Sequence, residues 1–201
     1  MGTIMTASRF KSDIVIKKVA FAGVFAALTY VAFTFLSIYV PTPGGGVTVH
    51  IGNAFVALGA LILGPFYGAV GGAIGLTISD LFNPNYLPQA PLTFVVKFAL
   101  GFLVGVIAHK VGHISRENTH KTVFKWVIIA AASGMIFNAV VDPLARYWYK
   151  ILVLGRLAAD LSLWPNVAVT LINSVVSFLL IVSLYMALRF PLKKMGLLFE
   201  I

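Results

Sequence analysis

Long apolar blocks, separated by short segments rich in Pro, Gly, Asn or basic residues, run through almost the whole chain. They lack the alternation of a membrane barrel and are too long for strands, so they predict helices. Six follow, at about 14–39, 52–63, 66–81, 92–110, 124–149 and 165–189. Proline sets the breaks. Pro65 cannot donate a backbone hydrogen bond and disfavours helix at Gly64, so HIGNAFVALGALILGPFYGAVGGAIGLTISD (50–80) divides into a hairpin of two short helices. The first of them would be about 18 Å long, against a hydrocarbon core of roughly 30 Å. Pro41 and Pro43 end helix 1, the loop PTPGGGVTVH is expected to fold back over the bundle, and Pro143 falls inside helix 5. Residues 1–13 read as a polar, loose segment.

Composition turns this pattern into a location. With 60% hydrophobic and 10% charged residues, and a mean hydropathy of +0.97, the chain is an integral membrane protein. The expected fold class is all-α, a single transmembrane domain over 1–201 built as a six-helix bundle, with helices 2 and 3 forming the short Gly-Pro hairpin. The net charge of +9 does not point to nucleic acid, because the basic residues gather at the ends of apolar blocks and act as topology signals. With the N-terminus inside, Arg9, Lys11, Lys17, Lys18, Lys110, Arg116, Lys121, Lys125, Arg189, Lys193 and Lys194 are cytoplasmic; Arg146, Lys150 and Arg156 lie outside. Both termini and the Gly64-Pro65 turn are then expected in the cytoplasm, with loops around Gly45, Asn85 and Gly155 outside. The first apolar block is too long for a signal-peptide core and reads as a retained helix. Cysteine is absent, which excludes disulfide and thiolate chemistry.

Ionisable groups inside spans are costly, so each needs a partner, a watery cavity or a snorkelling route. Asp80, Lys97 and Asp142 fall near the same ends of helices 3, 4 and 5 and are expected to share one layer. The plainer alternative has Lys97 snorkelling outward and the aspartates in the headgroup zone. Helix 6 carries a polar stripe, Asn166, Thr170, Asn173 and Ser177, and helix 5 a row of Asn138, Asp142 and Arg146. Such stripes face either a ligand or a neighbouring helix. The candidate contacts for a substrate are His50, Asn53, Asp80, Tyr86, Lys97, Asn138, Asp142, Asn173 and Trp164. His109, His113 and His120 read as solvated loop histidines, no metal-ligand spacing occurs, and no cofactor is implied.

Small residues recur at fourth positions. Helix 1 has Ala22-x-x-x-Ala26 and Gly23-x-x-x-Ala27, helix 3 has Gly68/Gly72 and Gly71/Gly75, and helix 4 has Gly101/Gly105. For the helix 3 and 4 rows, packing inside the bundle is the simpler use. No P-loop, H-E-x-x-H or G-x-S-x-G motif occurs, so no enzyme and no catalytic residue emerges.

The Ala22-x-x-x-Ala26 helix, the Pro/Gly-rich first loop, the 50–80 hairpin with its turn Leu63-Gly64-Pro65-Phe66-Tyr67-Gly68, and the six-span layout resemble the S components of bacterial energy-coupling-factor (ECF) vitamin transporters. Within that family the chain looks most like the branch associated with pyridoxine or hydroxymethylpyrimidine. The resemblance implies a six-helix bundle that binds a small vitamin tightly beneath the loop between helices 1 and 2. It also implies docking on a transmembrane scaffold (T) subunit and two cytoplasmic ATPase subunits in a bacterial cell membrane, with Ala22, Ala26 and neighbouring Gly23 facing the scaffold. Three alternatives remain: an S component for another vitamin such as folate or pantothenate, a structural membrane protein, which the polar stripes disfavour, and an autonomous ion-coupled carrier using Asp80, Lys97 and Asp142 as coupling groups. No internal inverted repeat supports the last.

Overall fold

The computed structural model describes residues 2–42, 46–117, 119–155, 160–195 and 198, with side-chain surroundings from residue 13 onward. Pro43, Gly45 and Arg156, used above as punctuation and topology signals, lie outside the described residues. Six helices form the body: α1 (Gly2–Thr34), α2 (Gly52–Leu63), α3 (Pro65–Leu81), α4 (Ala90–Val106), α5 (His120–Leu152) and α6 (Asp160–Lys194). Successive helices reverse direction, so α1 begins and α6 finishes at one end of the bundle. Among the described residues, four segments are long and apolar enough to cross a membrane: 13–34, 87–111, 120–152 and 160–194.

Two expectations are corrected. Helix 1 ends at Thr34 rather than Tyr39, because Ser37–Val40 (β1) pairs antiparallel with Val47–His50 (β2), with Ser37 opposite His50 and Val40 opposite Val47. Ile38, Val40, Val47, Thr48 and Val49 are β-branched, which suits a pleated edge better than a helix. The purely helical class therefore gains a two-stranded hairpin, which does fold back onto the bundle. The 2–12 stretch, expected to be loose, is helical and continuous with α1.

The remaining boundaries follow local chemistry. Gly64 adopts φ 91°, a region that favours glycine, and Pro65 opens α3 where a missing N–H costs nothing. That single residue lets α3 return alongside α2. Helix α2 is buried at every position from Gly52 to Leu63 except Phe55, with α1, α3, α4 and α6 packed around it. The glycines of α3 and α4 are the reason the helices sit so close. Gly68 lies against the Gly59–Ala60 backbone and Gly72 against Val56, while Gly71 and Gly75 meet the backbone of Ala22 and Ala26. Gly101 and Gly105 of α4 likewise abut Ala69 and Pro65 of α3. At the end that carries the termini, α4 finishes in a π-helical turn, Ile107–Val111. Its His109 is 1% exposed, bonded through Nε2 to the Ala60 carbonyl at 3.1 Å and through Nδ1 to the Ser115 hydroxyl at 2.9 Å. His109 is thus a buried tie between α4 and α2 and not a solvated loop residue; His113 and His120 are exposed as expected.

Candidate ligand-binding site

At the hairpin end, the polar residues of α3, α4, α5 and α6 converge under β2. Lys97 Nζ stands 2.8 Å from Asp142 Oδ1, and Arg146, one turn further along α5, places Nε 2.8 Å from Asp142 Oδ2. One carboxylate therefore holds two cations. Lys97 also donates to Asn138 Oδ1 at 2.7 Å, and Asn138 Nδ2 donates to the Ser174 hydroxyl of α6 at 3.1 Å. On the other side, Arg146 donates to the Thr93 hydroxyl at 3.1 Å and to Gln89 Oε1 at 3.3 Å, while Thr93 donates to Asp80 Oδ2. The chain of contacts Asp80–Thr93–Arg146–Asp142–Lys97–Asn138–Ser174 links four helices without a gap. Asp80, Lys97 and Asp142 are 2%, 3% and 5% exposed. Asp142 pairs with both Lys97 and Arg146, so neither of these two buried cations lacks a carboxylate.

The network forms one wall of a cavity with about 590 Å³ of unfilled space, open mouth included. The hairpin covers it. Asn173 of α6 accepts from the backbone N–H of His50 and donates to the Thr48 carbonyl, both at 3.0 Å. His50 Nδ1 accepts from Gly52 N–H at 3.1 Å, capping α2, which puts the ring proton on Nε2. Burial, reinforced by the Lys97 charge, pushes the His50 pKa down to about 3. Phe33 meets His50 edge-on at 4.7 Å and Tyr86 at 6.0 Å. Asn53, 1% exposed in the cavity wall, has an Oδ1 with no hydrogen-bond partner among the described residues.

Of the residues expected at a site, His50, Asn53, Asp80 and Tyr86 line this one cavity. So do Lys97, Asn138, Asp142 and Asn173. Lys97 does not snorkel. From the helix 6 stripe, Asn166 and Thr170 join Asn173 in the wall, whereas Ser177 lies buried away from the cavity.

A family model described as the S component of an ECF-type riboflavin transporter matches residues 13–190. The chain belongs to that family. The S component is accordingly a multi-pass membrane protein of a vitamin uptake system, and the family is one of transporter subunits rather than enzymes. No curated protein and no solved structure matches the chain.

The site of this S component departs from the sequence reading in two ways. Trp164 is 74% exposed and does not line the cavity, so it is set aside as a contact. Arg146, Thr93, Gln89 and Lys150 line the cavity but were not among the candidates. Lys150, 4% exposed, donates to the Ser162 hydroxyl at 2.8 Å. Lys150 had been counted only as a charge outside the membrane, and Arg146 as such a charge and as the third member of the helix 5 row. The signal for Arg146 was present in its i, i+4 spacing from Asp142. On α1, the backbone of Ala22 and Ala26 faces the glycines of α3, whereas Gly23 is exposed with nothing within 4 Å of a Cβ built there.

Proposed function

We propose that this S component binds a flat, nitrogen-containing aromatic vitamin bearing hydroxyl groups, outside the membrane, for uptake energised by separate subunits. One observation carries the reading: a buried polar network of two carboxylates and two cations borders a cavity that is also lined by Asn53, whose amide oxygen has no hydrogen-bond partner among the described residues. Ionisable groups are expensive at membrane depth, and a buried acceptor without a donor costs about 1–3 kcal/mol. A ligand N–H or O–H at Asn53 removes that cost, and amides and hydroxyls around the wall read ring edges that alternate donors and acceptors. Riboflavin, named in the matching family's description, is the first ligand to test. Pyridoxine and hydroxymethylpyrimidine are the second reading, favoured by Asp80. Its carboxylate has no cation within ion-pair distance among the described residues and suits a pyridinium or aminopyrimidine N–H.

In this reading all six helices cross the membrane, α2 and α3 as shorter members, with the hairpin outside and both termini in the cytoplasm. The basic residues at the terminal end support that orientation. A T subunit and two ATPase subunits complete the transporter in a bacterial cell membrane, because this chain carries no nucleotide-binding motif. The exposed Gly23 and Ala27 face of α1 is the surface offered to the T subunit.

The test is mass spectrometry of ligand retained after mild purification, followed by titration of the emptied protein with riboflavin, pyridoxine and hydroxymethylpyrimidine. Saturable binding of one of them, lost in Lys97→Met, supports the proposal; equal binding by Lys97→Met removes the network from it. Uptake in vesicles driven by an ion gradient without ATPase subunits overturns the energy-coupling part.

A further inference from the structure

We infer that the protein holds a second, uncharged ligand station next to the charged cavity, and that a side-chain wall built on the hydrogen bond between Thr48 and Tyr86 divides the two. The inference rests on the vitamin-binding reading and adds a route to it.

A second cavity with about 740 Å³ of unfilled space, mouth included, lies between the last turn of α1, the hairpin, the end of α3 and the turn that follows it. It shares only Phe33 and Thr48 with the charged cavity. Those two residues make the partition, and Tyr86, which lines only the charged cavity, braces it from that side. Thr48 Oγ1 and Tyr86 Oη are 2.6 Å apart, Tyr86 also donates to the Gly46 carbonyl at 3.3 Å, and Phe33 packs edge-on against the tyrosine ring. Because Tyr86 gives its proton to Gly46, Thr48 is the donor in the shared bond. The wall consists of side chains alone, so rotation of the tyrosine opens it while the β1–β2 ladder stays intact.

The chemistry of the two chambers differs sharply. The outer one carries hydroxyls from Thr34, Ser37 and Ser79, amides from Asn83 and Asn85, and aromatic surface from Tyr39, with no charged side chain. The inner one is lined by five charged side chains of both signs, Asp80, Lys97, Asp142, Arg146 and Lys150. An uncharged hydroxyl- and amide-bearing surface suits a neutral, hydroxylated molecule and offers nothing to neutralise a phosphate or carboxylate. The station therefore receives the vitamin in its neutral form and passes it inward when Tyr86 turns.

The experiment is stopped-flow binding of riboflavin, repeated with pyridoxine, to the purified full-length protein. Ser37→Phe and Asn85→Trp narrow the outer cavity without touching the inner one, and Asn85→Trp leaves the strand ladder alone. Both should slow association and dissociation by a common factor, leaving Kd unchanged. Tyr86→Phe and Thr48→Val each remove one side of the same bond. Tyr86→Phe, which also loses the bond to Gly46, should speed both rates by about fivefold and Thr48→Val by less, with the double variant no faster than Tyr86→Phe. A rise in the dissociation rate alone, additive between Tyr86→Phe and Thr48→Val, makes them ligand contacts and overturns the partition. Fillers that leave the association rate unchanged overturn the outer station. Binding of neither vitamin to the unaltered protein overturns the functional reading and this inference with it; binding with unmoved rates overturns this inference alone.

Discussion

Asn173 and His50 are 123 positions apart, yet the backbone N–H of His50 donates to Asn173 Oδ1 at 3.0 Å and the same amide returns a bond to the Thr48 carbonyl. A single side chain on α6 thus completes the hydrogen bonding of β2 on the side away from β1. Asn173→Ala strands a buried donor and acceptor, each worth about 1–3 kcal/mol. Hydrogen exchange at residues 47–50 should accelerate by at least an order of magnitude. Unchanged protection would show that the ladder alone holds the hairpin.

The Lys97–Asp142 pair should behave as a unit. Lys97→Met or Asp142→Asn alone breaks a buried ion pair, a change that typically costs about 3–5 kcal/mol. Asp142→Asn is expected to be the worse, because it strands Arg146 as well as Lys97. The double variant should be markedly less destabilised than the sum of the two, read as Tm in detergent. Simple additivity would argue against direct coupling.

His50 supplies a pH dependence with a defined sign. Its folded pKa, about 3, lies below the ordinary value of 6.5, so the ring binds fewer protons with the hairpin closed than with it open. Closure is fully favoured above about pH 6.5, and weakens as pH falls toward 3, by up to about 1.4 kcal/mol per pH unit. Hairpin protection factors, the intrinsic exchange rate divided by the observed one at each pH, should fall from pH 7 to pH 4, and His50→Gln should flatten the profile. A flat profile in the unaltered protein refutes the assignment.

Two glycines on facing helices should respond in opposite ways. A Cβ at Gly75 would run into the Ala26 carbonyl, so Gly75→Val is expected to destabilise by about 1–3 kcal/mol. Gly23 has open space around it, and Gly23→Ala should be neutral or stabilise by about 0.5–1 kcal/mol. Thermal unfolding distinguishes them. Gly23→Leu, stable on its own, should instead weaken copurification with a T subunit; undiminished assembly moves that interface off this face of α1.

Much of the site was legible because a charge in an apolar block is conspicuous whatever the fold. Asp80, Lys97 and Asp142 stand out on cost alone, and the Asn138 and Asn173 stripes on periodicity. Arg146 and Lys150 were read differently because a basic residue near a helix end also serves as a topology signal, and spacing does not reveal which way it turns. The hairpin escaped for a related reason. Ile38, Tyr39 and Val40 prolong the apolar block of α1, and in a membrane protein such a block reports surroundings rather than backbone geometry. His109 illustrates the converse: HKVGH reads as a polar loop, yet the π-helical turn rotates this ring inward to meet Ala60. Exposure of Trp164 was invisible to a reading that treats any boundary aromatic as equal.

The glycine contacts of α3 have a mechanical consequence. Because α3 meets α1, α2 and α4 backbone against backbone, no layer of flexible rotamers lies between them to slip or rearrange. These four helices form a stiff keel, and compliance is left to the hairpin rim and to α5 and α6. A push at the hairpin end of these four helices should therefore reach the end that carries the termini with little bending on the way.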